Sequence, residues 1–445
     1  MQNVIKVSQG LLEGIPCDGY VIFKGIPYAK APVGKLRWKA PEPAENWNGI
    51  YKANHFPNME YQELPVKDHP FMGRFYKEFY SNPDFVPKMS EDCLYLNIWM
   101  PEHKDNQKLP VAFWIHGGGF AGGYSSELEF DGEAYCKRNV ILVTIEYRTG
   151  IYGFLAHPWL SAENEHGISG NYGILDQIAA LKWVYENISA FGGDPRNITI
   201  FGQSAGCMST QVLISSELTD SIPAKAILQS GTCCKENFLY TPTLQEEEEI
   251  GKLFAACAGV TNIRELRSMT PDEILHASKK LDAQTWKMGK GLVLVPNVDG
   301  YVLKNTVYEI WKKGEMKKIP YITGCVTNDL GSTPEEIKEK KPGLLMRESI
   351  AWSLKCEEFN LPSYIYHFSH ELPGDDWGSS HSSELWYTFG TLKRSWRPMN
   401  HSDEELSDHM LDYWTSFMKT GKPYCKAAGD WLPYTANNPF VKEFR

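Results

Sequence analysis

One short stretch carries the residue types needed for nucleophilic attack on a carbonyl carbon. The run from Gly202 to Gly206 (Gly-Gln-Ser-Ala-Gly) follows β-branched and aromatic residues and precedes an apolar, helix-compatible segment, Cys207 to Ile214. Strand, sharp turn and helix in this order form a nucleophile elbow, which exposes a serine hydroxyl at the tip of a strand. Side chains at positions 202 and 206 would collide with the neighbouring strand and helix. The pattern predicts Ser204 as a nucleophile, although a short Gly-x-Ser-x-Gly motif also occurs in ordinary turns.

A serine hydroxyl needs a base to take its proton and an acid to orient that base. In enzymes built around such an elbow, the chain order is Ser, then Asp or Glu, then His, each on a loop after a strand. The histidines after Ser204 lie at positions 276, 367, 370, 381, 401 and 409. His367 lies in a strand-like run, whereas His381 follows a Gly- and Ser-containing loop and precedes an amphipathic segment. We predict His381 as the base.

Two aspartates compete for the role of the orienting acid. Asp329 follows a strand-like apolar run from Ile319 to Gly324, and Asp299 lies in an Asp-Gly dipeptide. Asp-Gly is common in turns, and a turn-capping role is also the alternative for Asp329. The residues alone leave both open, and the position after a strand favours Asp329.

A glycine run follows a second apolar segment. The segment from Leu109 to His116 predicts a buried strand, and it leads directly into Gly117, Gly118 and Gly119. Consecutive glycines let backbone N–H groups approach a developing oxyanion without side chains in the way. We therefore predict an oxyanion hole from the N–H groups of Gly118, Gly119 and Ala205, the residue after the nucleophile. A flexible turn is the alternative for the glycine run.

The elements that must position these residues alternate between strand and helix patterns. Val140 to Tyr147 predicts another buried strand, and Ile174 to Val184 has apolar residues at the helical period. Residues 4–23 predict an antiparallel hairpin at a sheet edge, and residues 30–60 an irregular surface segment. This succession indicates the α/β class, with a mostly parallel sheet.

Taken together, the motifs resemble those of the type-B carboxylesterases, the family of para-nitrobenzyl esterases and cholinesterases. The resemblance spans nearly the whole chain and is carried by these segments: Phe23–Ala29, Glu91–Trp99, His116–Phe120, Gly170–Gly173, Phe191–Pro195 and Phe201–Gly206. It implies one α/β-hydrolase domain over residues 1–445, with a mostly parallel twisted sheet, helices on both faces and an antiparallel N-terminal edge. Residues 56–92 are then expected as a loop or lid over the pocket, and residues 332–362 as a shortened cap.

The same resemblance implies a catalytic triad of Ser204, His381 and Asp329. Asp329 stands where the family commonly has glutamate, so the acid here is one methylene shorter. Ser230 resembles a serine that supports the carboxylate of the triad, with a plain strand-end serine as the alternative, and Gln203 is expected beside the triad. Asp299 is structural in this interpretation.

The function implied is hydrolysis of neutral carboxylic esters, aryl or with short to medium acyl chains, through an acyl-enzyme and without a metal or organic cofactor. A phenolic (feruloyl- or chlorogenate-like) esterase is one alternative, because aromatic residues between 61 and 85 could stack on a substrate ring. A non-catalytic adhesion protein on the same fold is another. No tryptophan occurs between Trp47 and Trp99, so the tryptophan-based site of the choline-binding members is not expected.

Composition limits the partners. A net charge of −10 and a pI of about 5.7 argue against nucleic acid and anionic membranes. No apolar run approaches the roughly 18 residues that span a bilayer, and the N-terminus has no signal-peptide pattern. The ten cysteines are scattered, without metal-ligand spacing. The resemblance implies that Cys93 is a free thiol, because secreted family members pair the matching cysteine with one near residues 58–60, where this chain has none. We therefore expect a cytoplasmic protein whose partner is a small-molecule ester; the oligomeric state stays open.

Overall fold

A ten-stranded sheet runs through the centre of the computed structural model, which describes residues 3–70, 72–102, 107–236 and 240–445. The strands of the chain are β1 (Val4–Val7), β2 (Gly10–Glu13), β3 (Ile15–Pro16), β4 (Tyr20–Pro27), β5 (Ile50–Lys52), β6 (Tyr95–Pro101), β7 (Leu109–Ile115), β8 (Ile141–Ile145), β9 (Gly193–Gln203), β10 (Pro223–Gln229), β11 (Tyr321–Val326), β12 (Ser363–Phe368), β13 (Tyr424–Cys425), β14 (Gly429–Asp430) and β15 (Val441–Phe444). The main sheet has the order β15-β12-β11-β10-β9-β7-β8-β6-β4-β3. Its strands are parallel from β15 to β8 and antiparallel from β8 to β3.

Helices cover both faces of this sheet. They are α1 (Met72–Phe75), α2 (Glu133–Cys136), α3 (Gly150–Phe154), α4 (Pro158–Ser161), α5 (Tyr172–Asn187), α6 (Ala205–Ser215), α7 (Leu244–Ala258), α8 (Ile263–Ser268), α9 (Pro271–Lys287), α10 (Val307–Lys313), α11 (Pro334–Lys338), α12 (Leu344–Glu357), α13 (Leu385–Phe389) and α14 (His401–Thr420). A π-helical turn at Tyr76–Tyr80 continues α1, and short 3₁₀ turns lie between several of the longer elements.

The central strands have apolar residues on both faces because each face packs against its own hydrophobic layer of helices. In β7, Val111, Phe113 and Ile115 join the layer under α5 and α6. Ala112 and Trp114, which alternate with them, join the layer under α13 and α14. This is why β7 reads as a continuous apolar run rather than an alternating one. The predicted mostly parallel sheet with helices on both faces is confirmed.

The N-terminal edge differs in part from the expectation. β3 and β4 form the antiparallel edge of the main sheet, as predicted, but β1 and β2 belong to a separate small sheet. The third strand of that sheet is β5, which lies in the segment expected to be irregular and pairs in parallel with β2. Three residues are too few for a pattern of alternation, and their pairing depends on contacts far along the chain.

The segments expected as lid and cap lie in different places. α1 and the π-helical turn lie within 56–92, and this segment contributes side chains to the wall of the main cavity. The segment 332–362 contains α11 and α12, and α12 packs against β11 and β12. Among the described residues, none from 332–362 lines that cavity. The packing of α12 is therefore that of a helix covering the sheet.

Glu78, in the π-helical turn, fastens the expected lid to the body of the protein. Its buried carboxylate accepts hydrogen bonds from Trp386 Nε1 at 2.8 Å, Trp396 Nε1 at 2.9 Å and Arg397 Nε at 2.9 Å. Arg397 is also buried, and its second partner is Asp375, at 2.9 Å. A buried ion pair whose lone pairs are filled holds its two segments together, because separation would leave charges without partners.

We expect Glu78→Gln to lower the free energy of unfolding by about 3 kcal/mol, because it leaves part of a buried guanidinium without its counter-charge. The measurement is urea denaturation of the wild type and the variant. Glu249→Gln is the control: Glu249 pairs with Lys252 on the exposed face of α7, and its loss should change the free energy by less than about 0.5 kcal/mol. Equal stability of Glu78→Gln and wild type would contradict the anchoring role.

Two further observations concern possible membrane-spanning helices and the cysteines. In the part of the chain that the structure describes, no helix is both long enough and apolar enough to cross a membrane. All ten cysteines lie in that part, and eight of them, Cys93 included, are buried. The thiol of Cys93 donates to Glu60 Oε2 at 3.5 Å, so the expectation of a free Cys93 is confirmed.

Candidate active site

The turn between β9 and α6 is a strained elbow with Ser204 at its tip. Ser204 has φ 57° and ψ −125°, a backbone conformation that residues other than glycine rarely adopt. Its N–H donates to Gln229 O at 2.9 Å. A Cβ atom at Gly206 would lie 2.1 Å from Ile115 O, and one at Gly202 would lie 2.4 Å from the backbone of Gly206. Side chains at positions 202 and 206 would therefore collide with the backbone, as predicted from the sequence. The two glycines let β9, β7 and α6 approach closely enough to hold the turn.

His381 and Asp329 meet beside this elbow, although they come from different loops. His381 Nδ1 lies 2.5 Å from Asp329 Oδ1, and both residues are buried. The backbone N–H groups of Leu330 and Val326 donate to the two carboxylate oxygens of Asp329, at 2.9 and 3.1 Å. His381 Nε2 faces Gln203 Nε2 at 3.3 Å. The sequence-predicted base, acid and Gln203 thus lie together next to Ser204.

Charges within this pair shift both pKa values. Burial alone would raise the pKa of Asp329, but the charge and hydrogen bond of His381, together with the hydrogen bonds from Ser230 and Val326, lower it overall. Burial would lower the pKa of His381, but the charge and hydrogen bond of Asp329 raise it above its ordinary value of 6.5. The arrangement favours an ionised carboxylate that fixes the Nδ1–H tautomer of His381 and leaves Nε2 as an acceptor.

A second buried carboxyl group, Glu384, lies next to Asp329. Ser230 lies between them: its hydroxyl donates to Glu384 Oε1 at 3.3 Å, and its polar group also helps to lower the pKa of Asp329. Tyr366 OH donates to the same Glu384 oxygen at 3.4 Å. Burial first, and then the negative charge of Asp329, raise the pKa of Glu384 to about 7. Sequence reasoning treated Glu384 only as part of a helix start; its place three residues after His381, one turn away, was the available signal.

Asp299, the competing acid, holds a turn instead. Its Oδ1 accepts hydrogen bonds from the backbone N–H groups of Tyr301, Val302 and Leu303, and its Oδ2 accepts one from Asn171 Nδ2 at 2.7 Å. An aspartate with its oxygens committed to a turn is typical of a structural residue.

The glycine loop after β7 faces the elbow. Gly118 has φ 102°, and a Cβ there would lie 2.2 Å from Gly122 O, so glycine is required. Within the described residues, the N–H groups of Gly118 and Gly119 donate to no other group. His116 steadies the loop by bonding Gly117 O through Nδ1 at 2.9 Å, and burial lowers the pKa of His116 to about 4, so the ring is neutral. The Ala205 N–H, at the first position of α6, has no acceptor within its own helix.

Gly118, Gly119, Ser204 and His381 line one cavity, which has a volume of about 720 Å³. The remaining wall is largely apolar and aromatic. Its rings and aliphatic side chains belong to Tyr61, Met72, Phe75, Phe79, Tyr80, Phe130, Ile151, Leu275, Trp286, Leu292, Val293, Leu294, Leu330 and Leu385. Four of the six aromatic members come from residues 61–85, the segment expected over the pocket. The cavity can therefore enclose an uncharged organic group next to the serine hydroxyl.

Comparisons with known proteins agree with this geometry. A sequence model of the Carboxylesterase family matches residues 1–351 and 343–444. The chain belongs to the carboxylesterase family. This carboxylesterase is 30% identical over 476 residues to the para-nitrobenzyl esterase of Bacillus subtilis, with 97% of this chain and 92% of that protein covered.

Two further comparisons agree with the family assignment of the carboxylesterase. It is 38% identical over 322 residues to a fumonisin B1 esterase of Sphingopyxis macrogoltabida, covering 72% of this chain and 55% of that protein. A solved PNB esterase structure superposes with a TM-score of 0.84 at 28% identity, covering 100% of this chain and 96% of the other. The predicted family, the α/β-hydrolase fold and the assignment as a carboxylic ester hydrolase are confirmed, and the non-catalytic alternative is not supported by these relatives.

Possible metal ligands are the next feature of the carboxylesterase. Among the residues that the structure describes, no three His, Cys, Asp or Glu side chains are grouped so that they could hold a metal ion.

Proposed function

We propose that this carboxylesterase hydrolyses neutral esters by two-step acyl transfer, with Ser204 as nucleophile, His381 as base and Asp329 as orienting acid. The observation that carries the proposal is the convergence of a strained Ser204 and the His381–Asp329 pair in the wall of one cavity. Ser204 Oγ attacks the ester carbonyl while His381 Nε2 takes its proton. His381 then gives this proton to the departing alcohol, and water activated by the same nitrogen releases the acid.

The oxyanion of each tetrahedral intermediate is proposed to accept hydrogen bonds from the N–H groups of Gly118, Gly119 and Ala205. Their freedom from other partners supports this role, because such donors need no reorganisation when the charge develops. Ser230 and Gln203 are proposed to hold Asp329 and His381 in place. In the same proposal the chain forms a single domain, and residues 56–92 form a fixed wall of the pocket rather than a swinging lid, because Glu78 is anchored.

A phenolic ester is the second candidate substrate class. The aromatic rings of Phe75, Phe79, Tyr80 and Phe130 in the cavity wall favour it, since they can stack on a hydroxycinnamate ring. A cytoplasmic location is part of the proposal as well, and the free thiol of Cys93 supports it, because disulfides are rare in the cytosol.

We expect a burst of p-nitrophenol, equal in amount to the enzyme, when the protein is mixed with an excess of p-nitrophenyl butyrate at low temperature, because the acyl-enzyme forms faster than it is hydrolysed. Mass spectrometry of the quenched protein should place the butyryl group on the peptide containing Ser204. An adduct on another residue would contradict the proposal.

The ratio of kcat/KM for methyl ferulate and for p-nitrophenyl butyrate, measured on the same protein, separates the phenolic candidate from the general esterase.

A further inference from the structure

Two buried carboxyl groups in the cavity wall have no part in the acyl-transfer steps. Glu127 is 7% exposed and Glu129 is 2% exposed, and both line the cavity that contains Ser204. Burying an ionisable group without a counter-charge is costly, and such a group in a cavity wall is a candidate for contact with a ligand.

The contacts of this pair leave it without a cation. Tyr80 OH donates to Glu127 Oε1 at 2.7 Å, and the two carboxyl groups lie close enough to shift each other's pKa. Glu129 Oε2 is buried and receives no hydrogen bond from any donor of the described residues. In the same part of the chain, no Lys, Arg or His nitrogen lies within 4.0 Å of either carboxyl group.

Arg394, which contacts the backbone on both sides of Glu129, has other partners for its guanidinium group. Arg394 Nη1 donates to the backbone carbonyls of Leu128 and Phe130, at 3.3 and 3.2 Å, and its Nη2 pairs with Asp131. Thr391 Oγ1 donates to Glu129 O at 2.8 Å. The backbone that carries the two carboxyl groups is therefore fixed, and their positions are set before any ligand arrives.

Charge in the cavity wall also favours a cation. Four carboxyl groups line it (Glu63, Glu127, Glu129 and Asp282), against one ammonium, Lys290, which is exposed. Burial raises the pKa of Glu127 to about 7 and that of Glu129 well above its ordinary value. A cation that approaches will favour their ionised forms, and no cationic side chain of the described residues competes with it for either carboxyl group.

We propose that Glu127 and Glu129 form a subsite for an organic cation with N–H donors, a primary ammonium or guanidinium carried by the ester substrate. Such groups form charge-assisted hydrogen bonds with carboxylates, and the rings of Tyr80 and Phe130, also in the cavity wall, can lie against their charged surface. The inference rests on the proposed function, because the subsite has a role only if esters are cleaved at Ser204. It uses carboxylates, and so differs from a tryptophan-based choline site.

The test compares two inhibitors of the same shape, butylguanidinium and butylurea, against the hydrolysis of p-nitrophenyl butyrate. For the wild type we expect competitive inhibition with a Ki at least about tenfold lower for butylguanidinium, the effect of one to two charge-assisted hydrogen bonds. In Glu127→Gln/Glu129→Gln the ratio of the two Ki values should fall to near one. Because the ratio is taken within each variant, a change in turnover does not affect it.

Asp282→Asn is the matched control, since Asp282 lines the exposed part of the same cavity. It should keep most of the wild-type preference; a loss as large as that of the double variant would overturn the subsite in favour of a general acidic field. Equal Ki values in the wild type would overturn the proposal even if the double variant failed to fold.

Failure of the proposed function would look different. It would appear as p-nitrophenyl butyrate hydrolysis that does not depend on Ser204, and calorimetric titration of butylguanidinium and butylurea into the wild type would then decide the subsite alone. Equal affinities in that titration would overturn it, and a tenfold preference for the cation would support it.

Discussion

Ser204→Ala is expected to reduce kcat for ester hydrolysis by a factor on the order of 10⁶, the effect of removing the nucleophile from a serine triad. Alanine removes only the hydroxyl, and the strained elbow stays in place because Gly202 and Gly206 fix it by close contacts with β7. Without Ser204 Oγ no acyl-enzyme can form. What remains should be the modest catalysis that backbone N–H donors give to attack by water.

The measurement is the steady-state rate with p-nitrophenyl butyrate at saturating concentration, corrected for the spontaneous reaction. Ser215→Ala is the control, because Ser215 ends the same helix, about 16 Å along its axis from the elbow. Its rate should stay within about threefold of the wild type. If kcat of Ser204→Ala fell by less than about a hundredfold, the assignment of Ser204 as nucleophile would be wrong, and another side chain in the cavity would have to be the nucleophile.

The elbow could be predicted from the sequence because its causes are local. Gly202, Ser204 and Gly206 lie within five residues, and the steric reasons for the two glycines need only the neighbouring strand and helix. The helix around Ile174–Val184 was equally accessible, and the structure has it as α5, since amphipathic spacing reports directly on one buried face.

The features that sequence reasoning did not find all depend on distant contacts. Glu78 meets Trp386 and Arg397 across 308 and 319 residues of chain, and nothing in the pattern around Glu78 announces a buried ion pair. Glu127 and Glu129 alternate with apolar residues, as the exposed residues of a strand would, yet the fold turns both into the cavity. Burial of a charged residue is decided by what packs over it, and that information is tertiary.

Asp329, the proposed orienting acid, could be predicted only in part. The position of Asp329 after β11 was predictable, but the residue type departs from the family's commoner glutamate, and whether the shorter side chain could reach His381 was a matter of loop geometry. The loop brings the two within 2.5 Å, so it compensates for the missing methylene. The parallel bridge between Asn328 and Ser380 is the local contact that draws the loops of Asp329 and His381 together.

Asp329→Asn is expected to lower kcat by about 10⁴, because the amide cannot satisfy its neighbours and hold the correct histidine tautomer at once. If its nitrogen faces His381, it donates to Nδ1 and puts the imidazole proton on Nε2, where the base must be free. If its nitrogen faces the other way, it meets the N–H of Val326, and two donors oppose each other. Asp299→Asn, the matched control in a turn, should lose less than about tenfold.

The pH profile of kcat/KM gives this prediction a second, independent readout. Catalysis needs neutral His381, and the charge of Asp329 raises the pKa of His381, so in the wild type activity should fall as the pH drops through a midpoint above 6.5. In Asp329→Asn the effect of burial, which lowers the pKa, is no longer outweighed, and the midpoint should move to lower pH. Asp329→Glu should not restore the wild-type rate: with 2.5 Å already between the two atoms, an added methylene misplaces the carboxylate, at a cost of about 10². A loss of less than tenfold in Asp329→Asn, with an unchanged midpoint, would instead make Asp329 a turn residue.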